Sequence, residues 1–146
     1  MAYLEWSDRY SVDILEVDAH HRKLFDLLNA LHGALGPGRE AAALAALDAY
    51  SDFTGHHMEA EERLLAPGPD ADATAHRHEH TRSLHEIQAL RREIAAGRQT
   101  LGLSAVGFLA DRLIAHVLGD DKRLYAALDT AGVARARQVF ATEQNC

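Results

Sequence analysis

The chain has 146 residues, 47% of them hydrophobic and 25% charged, which bounds it to one compact domain with a real core. Its formal net charge of −7 repels nucleic acid and anionic membrane surfaces, and no Lys/Arg cluster overturns that. No apolar run is long enough to span a bilayer, and the start lacks the basic-then-apolar pattern of a signal peptide, so a cytoplasmic protein is expected.

Residues 1–17 carry no helical period. Trp6, Tyr10, Val12, Ile14 and Val17 are spaced like an extended arm whose apolar side chains lie across a helical core. Asp18 reads as the N-cap of a first helix beginning at Ala19. That helix carries His21, Leu24, Phe25, Leu28, Leu31 and Leu35 on one stripe, and Gly36-Pro37-Gly38 ends it. A second helix is expected from about 39 to 66, its inward face traced by Leu44, Leu47, Tyr50, Ser51, Thr54, His57, Met58, Glu61, Leu64 and Leu65. The polar members of that face conflict with a purely structural stripe, and such conflicts cluster at functional sites. After Pro67-Gly68-Pro69-Asp70, a third helix from about 72 to 96 presents His76, His80, Leu84, Ile87, Leu90 and Ile94, and stops at Gly97. The fourth begins near Leu103 or Ser104 and turns Val106, Leu109, Leu113, His116 and Val117 inward, with Asp121 near its end. From Asp129 a tail with a break at Gly132 leaves room for a short terminal helix. The whole reads as an all-α, antiparallel up-down-up-down four-helix bundle over 18–128, with an extended N-terminal arm (1–17) and a C-terminal tail (129–146), in a single domain.

Histidine is the abnormal residue: there are ten, and they are grouped. His57 and Glu61 stand four apart on one helix face, as do His76 and His80. Each predicted helix brings at least one imidazole inward: His21, His57 with Glu61, His76 with His80, and His116 with Asp121. Burying five imidazoles and two carboxylates together is costly without a strong positive charge to organise them. Seven ligands are too many for one zinc; two ions of intermediate softness suit nitrogen with carboxylate oxygen. If two carboxylates bridge, the histidines divide three and two, and a shared solvent-derived bridge leaves one ion with an open position. The pair His116 and Asp121 is awkward, since five residues rotate about 140° on a regular helix. Either a π-bulge intervenes or Asp120, at the regular spacing, is the ligand. Ligand type alone does not separate iron from manganese.

The ordered set Trp6…Tyr10-Ser-Val, Asp18-x-x-His21-x-x-Leu24-Phe25, His57-x-x-x-Glu61-Glu62, His76-x-x-x-His80 and His116-x-x-x-x-Asp121 resembles the hemerythrin family, specifically its single-domain bacterial members. The resemblance spans residue 6 to about 125. It implies two non-haem iron ions with an oxo or hydroxo bridge. His76, His80 and His116 would hold the filled iron, His21 and His57 the open one, and Glu61 and Asp121 would bridge, which sets Asp120 aside. It also implies reversible dioxygen binding for storage, delivery or sensing, with oxygen held as hydroperoxide at the five-coordinate iron. Leu24, Met58, Leu113 and Val117, close in sequence to those ligands, are expected to line the oxygen pocket.

Two positions depart from the family pattern: Met58 stands where Phe is common, and Arg112 where Trp is common. Both suggest a pocket more open to solvent and make a di-iron enzyme with peroxidase-like or nitric-oxide-handling activity the rival reading. His20, where the family often has Gln, either donates to a ligand or lies on the surface. His32, His56, His78 and His85 read as solvated faces. Expected partners are dioxygen and an oxygen-consuming protein, with no nucleic acid and no membrane, the chain itself acting as a monomer.

Overall fold

In the computed structural model, residues 2–65 and 70–143 are described. Six α-helices account for most of them: α1 (Leu15–Gly33), α2 (Glu40–Glu62), α3 (Ala71–Ala95), α4 (Leu103–Ala115), α5 (Lys122–Ala126) and α6 (Thr130–Glu143). A π-helical segment, His116–Asp121, joins α4 to α5, and a 3-10 turn, Asp8–Tyr10, interrupts the N-terminal arm. Helix α1 packs on α2 and α4, α2 on α3, and α3 on α4, closing the four-helix ring. Among the described residues no helix is long and apolar enough to cross a membrane.

The apolar spacing of α1 becomes burial: Val17, Leu24, Phe25, Leu28 and Leu31 are all within the core. All but Val17 join Leu47, Tyr50, Phe53, Ile87, Leu90, Val106, Leu109, Leu113 and Val117 in the main cluster. The glycine-based stops hold. Gly36, Gly38 and Gly97 all have positive φ, and Gly97 follows the last α3 position as the left-handed C′ residue. The expected break at Pro67-Gly68-Pro69 lies outside the described residues; α2 ends at Glu62, a turn before the expected 66. Asp70 then caps α3 by accepting from the Ala73 N–H at 2.8 Å.

Two expectations need correction. Helix α1 starts at Leu15, not Ala19, and its N-cap is Ile14. Asp18 sits inside the first turns, buried, and its carboxylate accepts from Ser11 Oγ (2.5 Å) and the Val12 N–H (2.9 Å). It ties the arm back onto the helix instead of capping it; the chain reverses at Asp13, whose φ is +60°, a conformation aspartate tolerates. The rest of the arm is pinned to α1 by Asn29, which exchanges two hydrogen bonds with the Leu4 backbone. Trp6 and Tyr10 stack edgewise on Phe25.

The tail is the second correction. Gly132 does not break it; α6 runs 14 residues and packs on α1 and α2. Asp129 Oδ1 accepts the Gly132 N–H at 2.8 Å, so Gly132 belongs to the first turn. A Cβ there would come within 3.2 Å of Leu128, which accounts for glycine in a helix. Ala136 and Phe140, one turn apart, are fully buried in a second cluster with Ile14, Val17, Ala60 and Tyr125.

Candidate metal centre

All seven sequence-predicted ligands come together. His21 on α1, His57 and Glu61 on α2, His76 and His80 on α3, and His116 and Asp121 at the two ends of the π segment are buried or nearly so. The π segment answers the awkward spacing. Its wider turn puts residues five apart on one face, so His116 Nε2 lies 3.0 Å from Asp121 Oδ1. Asp120 instead pairs with Arg123 at the surface.

Each carboxylate is divided between two groups of histidines. Glu61 Oε1 faces His76 Nε2 (2.5 Å), His80 Nε2 (2.9 Å) and His116 Nε2 (3.5 Å), while Oε2 faces His57 Nε2 at 3.4 Å. Asp121 Oδ1 faces His116 and, at 3.6 Å, His76, while Oδ2 faces His21 Nε2 (2.8 Å) and His57 Nε2 (3.5 Å). Two overlapping sets of donor atoms result, Glu61 with His76, His80 and His116, and His21 with His57, Glu61 and Asp121. In each set the donor atoms lie within 4.8 Å of one another.

The donor set fits metal ions better than it fits itself. His21 Nε2, His57 Nε2, His116 Nε2 and both Asp121 oxygens are buried without a hydrogen bond of proper geometry among the described residues. Buried polar atoms in such numbers need an explanation, and cations between them supply one. Imidazole nitrogen with carboxylate oxygen suits iron and its first-row neighbours.

Without metal, protons take part of that role. Burial raises the Glu61 carboxyl and Asp121 adds to it, but the His116, His76 and His80 imidazoles outweigh both and hold it below the usual range. Burial likewise raises Asp121, and His116 beside it pulls it well below normal. Burial lowers His76, yet the Asp121 and Glu61 carboxylates win and lift it from 6.5 to about 9; His116 is raised well above normal in the same way. Burial keeps His57 low and drops His20 to about 3, assisted by His57 and His21.

These directions predict the pH behaviour of the metal-free protein. His76 and His116 have raised folded values, so their contribution to stability is complete below pH 6.5 and lost as pH rises, for His76 through about 9. His20 and His57 have lowered values, so theirs is complete above pH 6.5 and lost as pH falls, for His20 toward about 3. Stability should therefore peak near pH 6.5, with Tm falling on the order of 5 °C by pH 9. Metal loading should abolish the alkaline limb, because a metal-bound imidazole has no proton to lose there. Circular-dichroism melts across this range check it; a metal-free Tm that climbs from pH 6.5 to 9 would contradict the assignment.

Three residues around the centre were not assigned a place in it from sequence. Tyr125 on α5 donates its hydroxyl to Glu61 Oε2 at 3.1 Å. His20, left open between ligand partner and surface, is buried with its Nδ1 2.9 Å from His57 Nδ1. Phe140 on α6 packs its ring on His20 (4.9 Å), His57 (5.9 Å) and Tyr125 (6.2 Å). The four-residue step from Asp121 to Tyr125 was a signal for the first. Asp129 followed by the Val133, Ala136, Phe140 stripe was a signal for α6.

The expected pocket residues Leu24, Met58, Leu113 and Val117 are all buried. Arg112 turns outward, bonding Glu86 at 2.9 Å and lying over the Phe108 ring, so it adds no charge to that interior. Exposed His56, His78 and His85 lie on solvated faces; His32 is half-buried and stacks on Tyr3.

The hemerythrin HHE cation binding domain model matches residues 12–128. The chain is 27% identical over 123 residues to a bacteriohemerythrin of Methylococcus capsulatus, covering 84% of this chain and 94% of that one. It is 30% identical to a bacteriohemerythrin of Pseudomonas paraeruginosa, covering 83% and 78%. A crystal structure of wild-type hemerythrin superposes with a TM-score of 0.79 at 26% identity, over 87% of this chain and 98% of that chain. With its divided carboxylates set among five histidines of four helices, this chain belongs to the hemerythrin HHE cation binding domain family.

Proposed function

We propose that this protein binds dioxygen reversibly, for storage, delivery or sensing, at two irons bridged by Glu61 and Asp121. His76, His80 and His116 would hold one iron; His21 and His57 would hold the other, where dioxygen would bind. The observation that carries this reading is the division of the carboxylates. One oxygen of each faces the three-histidine group and the other the two-histidine group, an arrangement that serves two ions and that one ion would leave half unused. Bound there, a ferrous pair would supply a site for dioxygen and the electrons that its binding draws on.

The remaining work falls to the chain. Leu24, Met58, Leu113 and Val117, all buried, wall the two-histidine side with apolar surface that keeps water out. Tyr125 gives Glu61 Oε2 a hydrogen bond, which restrains the bridging carboxylate. With Arg112 paired outward, no cationic group from that position reaches the interior to promote further reduction.

The test is anaerobic loading with ferrous iron, metal analysis and rapid mixing with oxygen. Two irons per chain and an absorbing oxygen adduct that reverts under argon are expected. One zinc per chain as isolated would refute the di-iron centre. Irreversible oxidation or repeated turnover with peroxide would replace carriage with the enzymatic reading.

A further inference from the structure

We infer that His20 is the residue that positions His57, by accepting a hydrogen bond from the side of its ring turned away from the carboxylates. The inference rests on the assignment of His57 as a metal ligand. The two Nδ1 atoms are 2.9 Å apart, and a single proton between them makes one ring donor and the other acceptor. His57 Nε2 faces Glu61 Oε2 and Asp121 Oδ2. To offer its Nε2 lone pair to a metal, neutral His57 must carry its proton on Nδ1. The bond then runs from His57 Nδ1–H to His20 Nδ1, and His20 keeps its own proton on Nε2.

The surroundings of His20 leave it little else to do. Its ring is fully buried, packed on Phe53 at 4.5 Å and on Phe140 at 4.9 Å. Its Nε2 is buried with no hydrogen-bond partner among the described residues. A leucine would fill that space without stranding a polar atom, so a packing role alone leaves the histidine unexplained. Setting the tautomer and the plane of His57 explains it. The acceptor is a neutral imidazole, where such ligands more often donate to a carboxylate or carbonyl.

Zinc(II), which is diamagnetic, is the probe. The wild-type protein is loaded with zinc and its imidazole nitrogens are read by 15N NMR, while zinc affinity is titrated in wild type, His20→Ala and His20→Gln. Expected are a His57 with its proton on Nδ1, a His20 with its proton on Nε2, and a 10- to 100-fold loss of affinity for one of two ions in His20→Ala. His20→Gln, whose side-chain carbonyl accepts, should recover most of it. Two ions bound with His20 protonated on Nδ1, or with unchanged affinity in His20→Ala, would overturn the inference and leave the two-ion centre standing. Wild-type protein that takes up no metal would sink both. If His20→Ala does not fold, the wild-type tautomers alone decide.

Discussion

Glu61→Ala is expected to cut bound iron from two ions per chain to one or none. Glu61 is fully buried and is the carboxylate that three histidines of α3 and the π segment meet through one oxygen, while His57 and Tyr125 meet the other. Removing it takes a donor from both sets at once. It also strands a raised His76, with its proton facing Asp121 alone at 3.6 Å, and leaves the Tyr125 hydroxyl without its acceptor. Breaking one side of a buried charge pair typically costs about 3–5 kcal/mol. The metal-free variant should therefore be destabilised by that order even before metal is considered. Metal analysis after anaerobic reconstitution checks the first effect, and retention of two irons would contradict the bridging assignment. Glu61→Gln separates the two effects. It keeps the size and one acceptor oxygen, so it should fold better than the alanine variant and still lose metal.

Phe140→Ala should lower the stability of the loaded protein by about 3–5 kcal/mol, a fall in Tm on the order of 10 °C. Phe140 is fully buried. It sits where the C-terminal helix meets the rings of His20, His57 and Tyr125, in a helix that lies beyond the residues matched by the family model. Truncation would open a cavity beside the two-histidine side and admit water behind His57. Loss of the oxygen adduct should accordingly speed up by more than the change in Tm alone predicts. Thermal melts together with the decay of the oxygen adduct in air test both parts. A variant within 1 kcal/mol of wild type by the size scaling of Tm would mean that α6 is not integral to the core. Phe140→Leu, which keeps most of the apolar volume, should fall between the two.

Much of this was legible in the sequence, for local reasons. The 3–4 spacing of Leu24, Leu28 and Leu31 and the glycines at 36, 38 and 97 reflect short-range rules of helix faces and helix ends. The cluster of candidate ligands was legible because buried histidine on an apolar stripe breaks such a rule wherever it occurs. What escaped depends on partners distant in sequence or on unusual backbone. Asp18 has the residue type of an N-cap, but its partners Ser11 and Val12 belong to an arm folded back across a left-handed Asp13. Gly132 has the composition of a break, yet Asp129 caps the turn around it and Leu128 leaves only tight room for a Cβ. The bond from Tyr125 to Glu61 joins residues 64 apart, so the step from Asp121 marks the face of Tyr125 but not its partner.

The π segment between His116 and Asp121 also means that the fourth helix is written in two reading phases. Upstream, Val106, Leu109 and Leu113 keep time with the apolar core. Downstream, the count is displaced by one residue, and in the new phase Asp121 and Tyr125 point at the donor atoms of Glu61 and its neighbours. Deleting one residue such as Gly119 would restore a uniform helix and leave the upstream core untouched. It would also leave carboxylate and phenol close to their present direction, since a four-residue step on a regular helix and a five-residue step across a π turn both return to one face. The tolerance of this helix to deletion is thus highest at a point where its local backbone is least regular.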